Sequence, residues 1–180
     1  MSAEIPRLLQ SLAAKDGAMV YAERMERQTH FRIWIDADGC PGPILRILYR
    51  ASERKGIPLV LVANRSLSPP ESALISTLIV EPSPDRADEE ILGQVSYGDL
   101  VVTADHLLAY LAVKKGATCI APRGTLYTLE KVQERLNRRI LKKAFPGGAE
   151  GRAGFPRHFD QKGRQAFASQ LETYFRQLGL

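Results

Sequence analysis

Asp36, Asp38, Asp88 and Asp105 are the residues whose type and placement point to chemistry. The first two close the apolar run Ile33-Trp34-Ile35, and Asp105 closes a second run, Leu100-Val101-Val102-Thr103-Ala104. Carboxylates at the carboxyl ends of parallel strands face the crevice where open α/β sheets bind ligands. Gathered there, they repel one another unless a cation lies between them. Hard ions such as Mg²⁺ and Mn²⁺ take all-oxygen ligands of this kind. Asp88 falls in the first turns of a helical stretch, on the side of Ile91 and Leu92, and so can point inward. The implied chemistry is a metal site acting on phosphate.

Each candidate has a structural alternative. Asp36 could cap the helix that begins near Pro43, or fix a turn. Cys40 is expected as a small buried thiol, because these metals disfavour sulfur. Asp85, Glu89 and Glu90 complement a helix dipole and need no chemical role. Asp99 and Asp105 stand at opposite ends of one strand, roughly 20 Å apart at about 3.3 Å per residue, so Asp99 is expected as a turn residue. Thr103 could donate to a phosphate or hold Asp105, and His106 is expected at the surface without a partner. Arg123 follows a strand on the ligand side and can bind a phosphate bidentately or pair with an aspartate.

The elements that must position these residues alternate β-rich runs with helical patterns from Phe31 onward, the mark of βαβ units and a parallel sheet. Strands are expected at about 31–36, 57–62, 78–80, 99–103 and 117–121. A helix from Pro43 to Gly56 has proline in its first turn. Another starts with Ser83 as N-cap and Pro84 in the first turn. A third ends at Lys114-Lys115-Gly116. A long helix from about 128 buries Leu129, Val132, Leu136 and Ile140. Its other faces present Lys131, Arg135, Arg138, Arg139, Lys142 and Lys143. Residues 145–163 read as mobile, and the last helix carries the stripe Phe167, Leu171, Tyr174, Phe175 and Leu178. Residues 1–30 have weak helical character at Leu8, Leu9 and Leu12 and are expected as an extension to a single domain over 31–180.

A hydrophobic content of 44% and a charged content of 25% suit a chain that buries a core without disulfides. Cys40 and Cys119 form no CxxC pair, which removes zinc knuckles and redox motifs. No apolar run reaches the ~18–20 residues of a membrane span, and a cytoplasmic location is the expectation. The net charge of +5 is uneven. Residues 31–112 carry 7 basic and 11 acidic residues, whereas residues 113–180 carry 14 basic and 5 acidic. An acidic half followed by a basic half fits a metal site beside a surface for a polyanion.

Five segments in order resemble the YaiI/YqxD family of bacterial proteins. They are Asp36-Ala37-Asp38-Gly39-Cys40-Pro41, Ala87-Asp88, the stretch from Gly98 through Asp99 to Asp105, Lys115-Gly116-Ala117, and the stretch from Pro122-Arg123-Gly124 to Thr128. The resemblance spans about residues 31–175. It implies a fold related to PIN domains, a three-layer α/β/α arrangement with a mostly parallel sheet of about five strands plus C-terminal helices. In that metal-dependent ribonuclease fold, acids after strand one, in a later helix and after strand four share one or two divalent ions. Asp36 or Asp38, Asp88 and Asp105 match those positions. A further acid usually sits in the helix after strand two, where the nearest candidate here is Glu71. Gly39 stands where alanine is frequent.

Three functions compete. The first is a metal-dependent nuclease acting on RNA, with Asp36, Asp38, Asp88 and Asp105 as Mg²⁺ or Mn²⁺ ligands. Thr103, Arg123, Arg135, Arg138 and Arg139 would then hold the substrate. The second is a phosphatase of the haloacid-dehalogenase type with Asp36 as nucleophile. That chemistry wants a lysine before the final acids, and Lys114 and Lys115 follow Asp105. The third is a non-catalytic RNA-binding or adaptor module.

Overall fold

The apolar runs of the central strands become a sheet because they leave no polar side for solvent. A computed structural model describes residues 31–83, 85–144 and 160–180, with only the backbone for Arg139 and residues 141–144. Expectations for residues 1–30 and for 145–159 lie outside the described residues. Arg32–Leu180 form one compact unit.

The strands are β1 (Ile33–Asp36), β2 (Leu59–Ala63), β3 (Ile75–Ile79), β4 (Leu100–Val102), β5 (Thr118–Ile120) and β6 (Leu126–Tyr127). The helices are α1 (Gly42–Lys55), α2 (Arg86–Gln94), α3 (His106–Lys114), α4 (Leu129–Ala144) and α5 (Gln161–Leu178). The sheet order is β3-β2-β1-β4-β5-β6, parallel throughout except for β6, which pairs antiparallel with β5. The architecture is three-layer α/β, as expected, with one strand more. Every residue of β1, β2 and β4 is buried, which fits central parallel strands covered on both faces.

Alternation divides the core. Trp34, Val60, Val101 and Cys119 lie in one row of the register. They pack on one face with Ile91 of α2, Leu108 and Ala112 of α3 and Val132 of α4. Ile33, Ile35, Leu59, Leu61 and Leu100 point the other way and are fully buried. The buried stripes of α1 (Ile44, Leu48) and α5 (Phe167, Leu171, Phe175) supply the remaining core. Asp36, two residues beyond Trp34, faces the α2 and α3 side.

Several local expectations need correction. Helix α2 is capped at Asp85, in left-handed backbone at φ 61, rather than at Ser83. Among the described residues of α4 only Val132 is fully buried; Leu129 is 43% and Ile140 63% exposed. Helix α5 begins at Gln161, inside the stretch expected to be mobile, and Asp160 caps it by accepting from Gly163 N at 2.8 Å. No described helix lies between β2 and β3, so Glu71 is an exposed loop residue and not the further acid of the PIN pattern. No described helix is long and apolar enough to cross a membrane.

Candidate functional site

Strand order reverses between β1 and β4, the switch point where parallel sheets open a crevice at their carboxyl ends. Asp36 is the last residue of β1. Continuing the pairing of Ile35 with Val102 brings Asp36 beside Thr103. The Thr103 hydroxyl donates to Asp36 Oδ2 at 2.9 Å and accepts from Asp105 N at 2.9 Å. One buried hydroxyl therefore fixes both ends of the switch point. Thr103 is fully buried and its only O–H proton goes to Asp36. It is thus a positioning residue that holds Asp105, one of the two expected roles, and Asp36 as well, rather than a donor to phosphate.

Asp36 is 9% exposed, and its Oδ1 accepts from Gly39 N at 3.3 Å. A Cβ at residue 39 would stand 3.0 Å from Oδ2, so glycine leaves that oxygen less covered than alanine would. Burial raises the pKa of Asp36. The Thr103 and Gly39 donors oppose the rise, and the charges of Asp38 and Asp105 add to it. Asp105 caps α3, its Oδ1 accepting from Leu107 N at 2.6 Å and Leu108 N at 3.0 Å.

Asp88 comes from the opposite wall, in the first turn of α2, three residues before the fully buried Ile91. Its pKa is pushed up to about 6, first by burial, then by the charges of Asp36, Asp105 and Asp85. No hydrogen bond opposes that rise. Asp36, Asp88 and Asp105 therefore share one electrostatic neighbourhood.

Asp38 does not belong to it in the same way. It is exposed, accepts from Asn64 N at 2.8 Å and pairs with Arg65 at 3.4 Å. Among the described residues, no three His, Cys, Asp or Glu side chains are arranged to hold a metal ion. The donor chemistry fits a hard divalent ion, being all oxygen and mutually repulsive, while the side chains do not form a ready shell.

The surrounding residues sort differently from expectation. His106 has company: Arg135 Nη1 lies 3.2 Å from its Nε2, and the Tyr127 ring meets it edge-on at 5.6 Å. Sequence reading missed this group because Arg135 is 29 residues away. Arg138 pairs with Glu134 on its own helix, and the side chains of Arg139, Lys142 and Lys143 lie outside the described residues. Arg123 is exposed in the turn after β5, with no aspartate partner among the described residues. Cys40 is buried, as expected, and burial followed by the Asp36 charge raises its thiol pKa.

The sequence matches the family described as uncharacterized BCR, YaiI/YqxD family over residues 34–177. The chain belongs to the YaiI/YqxD family. The UPF0178 protein YaiI of Escherichia coli (strain K12 / DH10B) is 48% identical over 143 residues, which cover 79% of this chain and 93% of that protein. The YaiI of Shigella boydii serotype 18 matches over 143 residues at 48% identity, 79% of this chain and 93% of its own. Among solved structures, a mutant of Rae1 (YacP) from Bacillus subtilis superposes with a TM-score of 0.40 and 15% identity. It covers 63% of this chain and 84% of that one. The family match takes in all three clustered aspartates and the Arg123 turn.

Proposed function

We propose that this YaiI/YqxD chain is a metal-dependent phosphodiesterase that acts on nucleic acid, a ribonuclease with Asp36, Asp88 and Asp105 at its centre. The observation that carries the reading is that the carboxylates of Asp36, Asp88 and Asp105, from β1, α2 and the cap of α3, act on one another's charge, burial first and that repulsion next raising Asp88 to about 6. Such repulsion is relieved when a cation occupies the site. Asp105 Oδ2 receives no described hydrogen bond, and neither does Asp88, so both have oxygens for a ligand. A bound Mg²⁺ or Mn²⁺ would supply Lewis-acid polarisation of the scissile phosphate and a more acidic water. The chain itself holds the acids. Thr103 and the Gly39 N–H fix Asp36, and the first turn of α3 fixes Asp105. Asp38, turned toward Arg65, is an outer member that acts through charge.

The phosphatase reading loses support. Lys114 stands over the Tyr110 ring and Lys115 donates to Leu92 O, both at the end of α3 remote from Asp36. The adaptor reading keeps one supporting observation, the lack of a ready three-residue metal shell among the described residues.

Hydrolysis of single-stranded RNA in Mn²⁺, with and without chelator, separates the two remaining readings. Asp36→Asn and Asp105→Asn should abolish chelator-sensitive cleavage and weaken Mn²⁺ binding by calorimetry roughly tenfold or more. Helix α3 should survive the second change, because asparagine caps as well as aspartate. Cleavage that persists in either variant would remove the aspartate centre. Mn²⁺ and RNA binding without any wild-type cleavage would make the chain an adaptor.

A further inference from the structure

A second charged feature lies on the other face of the sheet, between α1 and α5. The two helices run in the same direction. Helix α1 starts six residues after Asp36, at the carboxyl end of the sheet. A Cβ at Gly124, in the turn after β5, would lie 2.5 Å from the Ala166 carbonyl carbon, so α5 passes that same end early in its course. Farther along α5, Tyr174 donates to Gly98 O, just before β4, at the amino end. Toward the amino end the helix pair is electrically closed, because Arg54 of α1 pairs with Glu172 of α5.

Toward the carboxyl end it is not. A cleft of about 490 Å³ is lined there by Arg46 and Arg50 from α1 and by Gln161, Arg164 and Gln165 from α5, with no acid in the lining. Among the described residues none of these three arginines pairs with a carboxylate. The nearby Asp160 is occupied as the cap of α5. Three guanidinium groups beside two amides match the needs of phosphate oxygens, which accept hydrogen bonds and carry full charge. Arg123, exposed in the turn after β5, is not in the lining of the cleft; its turn meets the α5 backbone at Ala166. The Gly39 turn leads from Asp36 into α1 on the other side. Both walls of the cleft thus begin at the end of the sheet that carries the aspartates.

We propose that this α1–α5 cleft, rather than the exposed face of α4, holds the phosphate backbone of a single-stranded nucleic acid leaving the aspartate site. The inference rests on the nucleic-acid reading given above and assigns that substrate its track. On α4, Arg138 is paired with Glu134 and Arg135 lies against His106, which leaves those two less available for phosphate.

The test is binding of a short single-stranded RNA to the full chain in chelator, followed by fluorescence anisotropy across a salt series. Changing Arg46, Arg50 and Arg164 together to glutamine should weaken binding about tenfold or more. It should also flatten the slope of log affinity against log salt by about 0.7 for each phosphate no longer neutralised. Changing the same three to lysine should keep most of the binding, which separates the removal of charge from a failure to fold. Arg135→Gln with Arg138→Gln should have the smaller effect. Wild-type affinity and slope in the glutamine triple, or no wild-type binding at all, overturns the cleft. So does displacement of the RNA by inorganic phosphate at equal concentration, which would make it a site for the free ion. The two readings fail separately. Cleavage with wild-type KM in the glutamine triple sinks the track alone. Loss of binding in that triple, with no cleavage by the wild type, sinks the nuclease alone.

Discussion

The two ends of the sheet each bury an aspartate, and the structure treats them in opposite ways. Asp99, at the amino end and 3% exposed, accepts from Arg32 N at 3.0 Å, Trp34 Nε1 at 3.0 Å and Ser96 N at 2.9 Å. Three donors converge on one charge, and the carboxylate ties β1, the turn before β4 and the largest core side chain together. Asp36, at the carboxyl end, has two donors and faces the charges of Asp38 and Asp105. One end satisfies its acid and the other crowds acids together. Buried like charges lower stability unless something outside the chain relieves them. A ligand is therefore to be sought at the acid whose surroundings oppose its charge.

Removing the satisfied acid should cost the most. Asp99→Ala leaves three donors without their acceptor, Trp34 Nε1 fully buried and the N–H groups of Arg32 and Ser96 partly so, and each such orphan costs about 1–3 kcal/mol. We expect a stability loss of roughly 3 kcal/mol or more in denaturant melts. Mn²⁺ affinity of the remaining folded protein should stay within about twofold of wild type. A large stability loss at Asp36→Ala and a small one at Asp99→Ala would invert the contrast between the two ends.

A pH series probes the crowded end. The native state holds the Asp88 proton more tightly than an unfolded chain whose aspartate titrates at 3.8, since the folded value is about 6. The Asp88 contribution to stability of the metal-free protein should therefore be complete below the lower value and be lost as pH rises through the upper one. Asp36, also raised, contributes with the same sign. Asp88 is half-buried, so solvent screening reduces its share to about 1 kcal/mol. Asp88→Asn should flatten the fall between about pH 4 and pH 6, and saturating Mn²⁺ should do the same to the wild type. Urea midpoints taken across that window measure both. An unchanged slope in the variant would detach Asp88 from the cluster.

These contrasts are unevenly legible in the sequence. Strands β1, β2 and β4 can be read because each is a continuous apolar run, and Asp36 and Asp105 can be placed because each closes one; β3, expected at 78–80, lies at Ile75–Ile79 because Ser76 and Thr77 interrupt its apolar pattern. Strand β6 cannot, since Leu126-Tyr127 is two residues and its pairing depends on a turn held by Gly124 at φ 81. Thr103 is recognisable as polar at a strand end, but its role follows from register, which brings it beside Asp36. Position along one strand already sets Asp99 apart from Asp105 as a turn residue, but the donors that make it a structural tie, some more than 60 positions away, cannot be read. The apolar stripe of α4 has four members, yet only Val132 is fully buried in the core, so spacing overstates its burial. The three arginines of the α1–α5 cleft come from segments more than 100 positions apart, and no local motif joins them.

The finest distinction divides the Asp36-Ala37-Asp38 pair itself. As neighbours in sequence the two acids have equal standing, whereas the structure buries one and turns the other toward Arg65 and the Asn64 N–H. Asp38 still raises the pKa of Asp36, so its charge reaches the site through space. An exposed ion pair contributes about 0–1 kcal/mol, and Asp38→Asn should change stability by no more than roughly 0.5 kcal/mol. Its Mn²⁺ affinity should fall by less than that of Asp36→Asn, by about twofold to fivefold, in the same calorimetric titration. Added salt should shrink the Asp38 effect more than the Asp36 effect, because charges in water are screened and buried ones much less. Equal losses for the two variants at every salt concentration would make Asp38 a ligand of the same rank, drawn in from Arg65 when the ion binds.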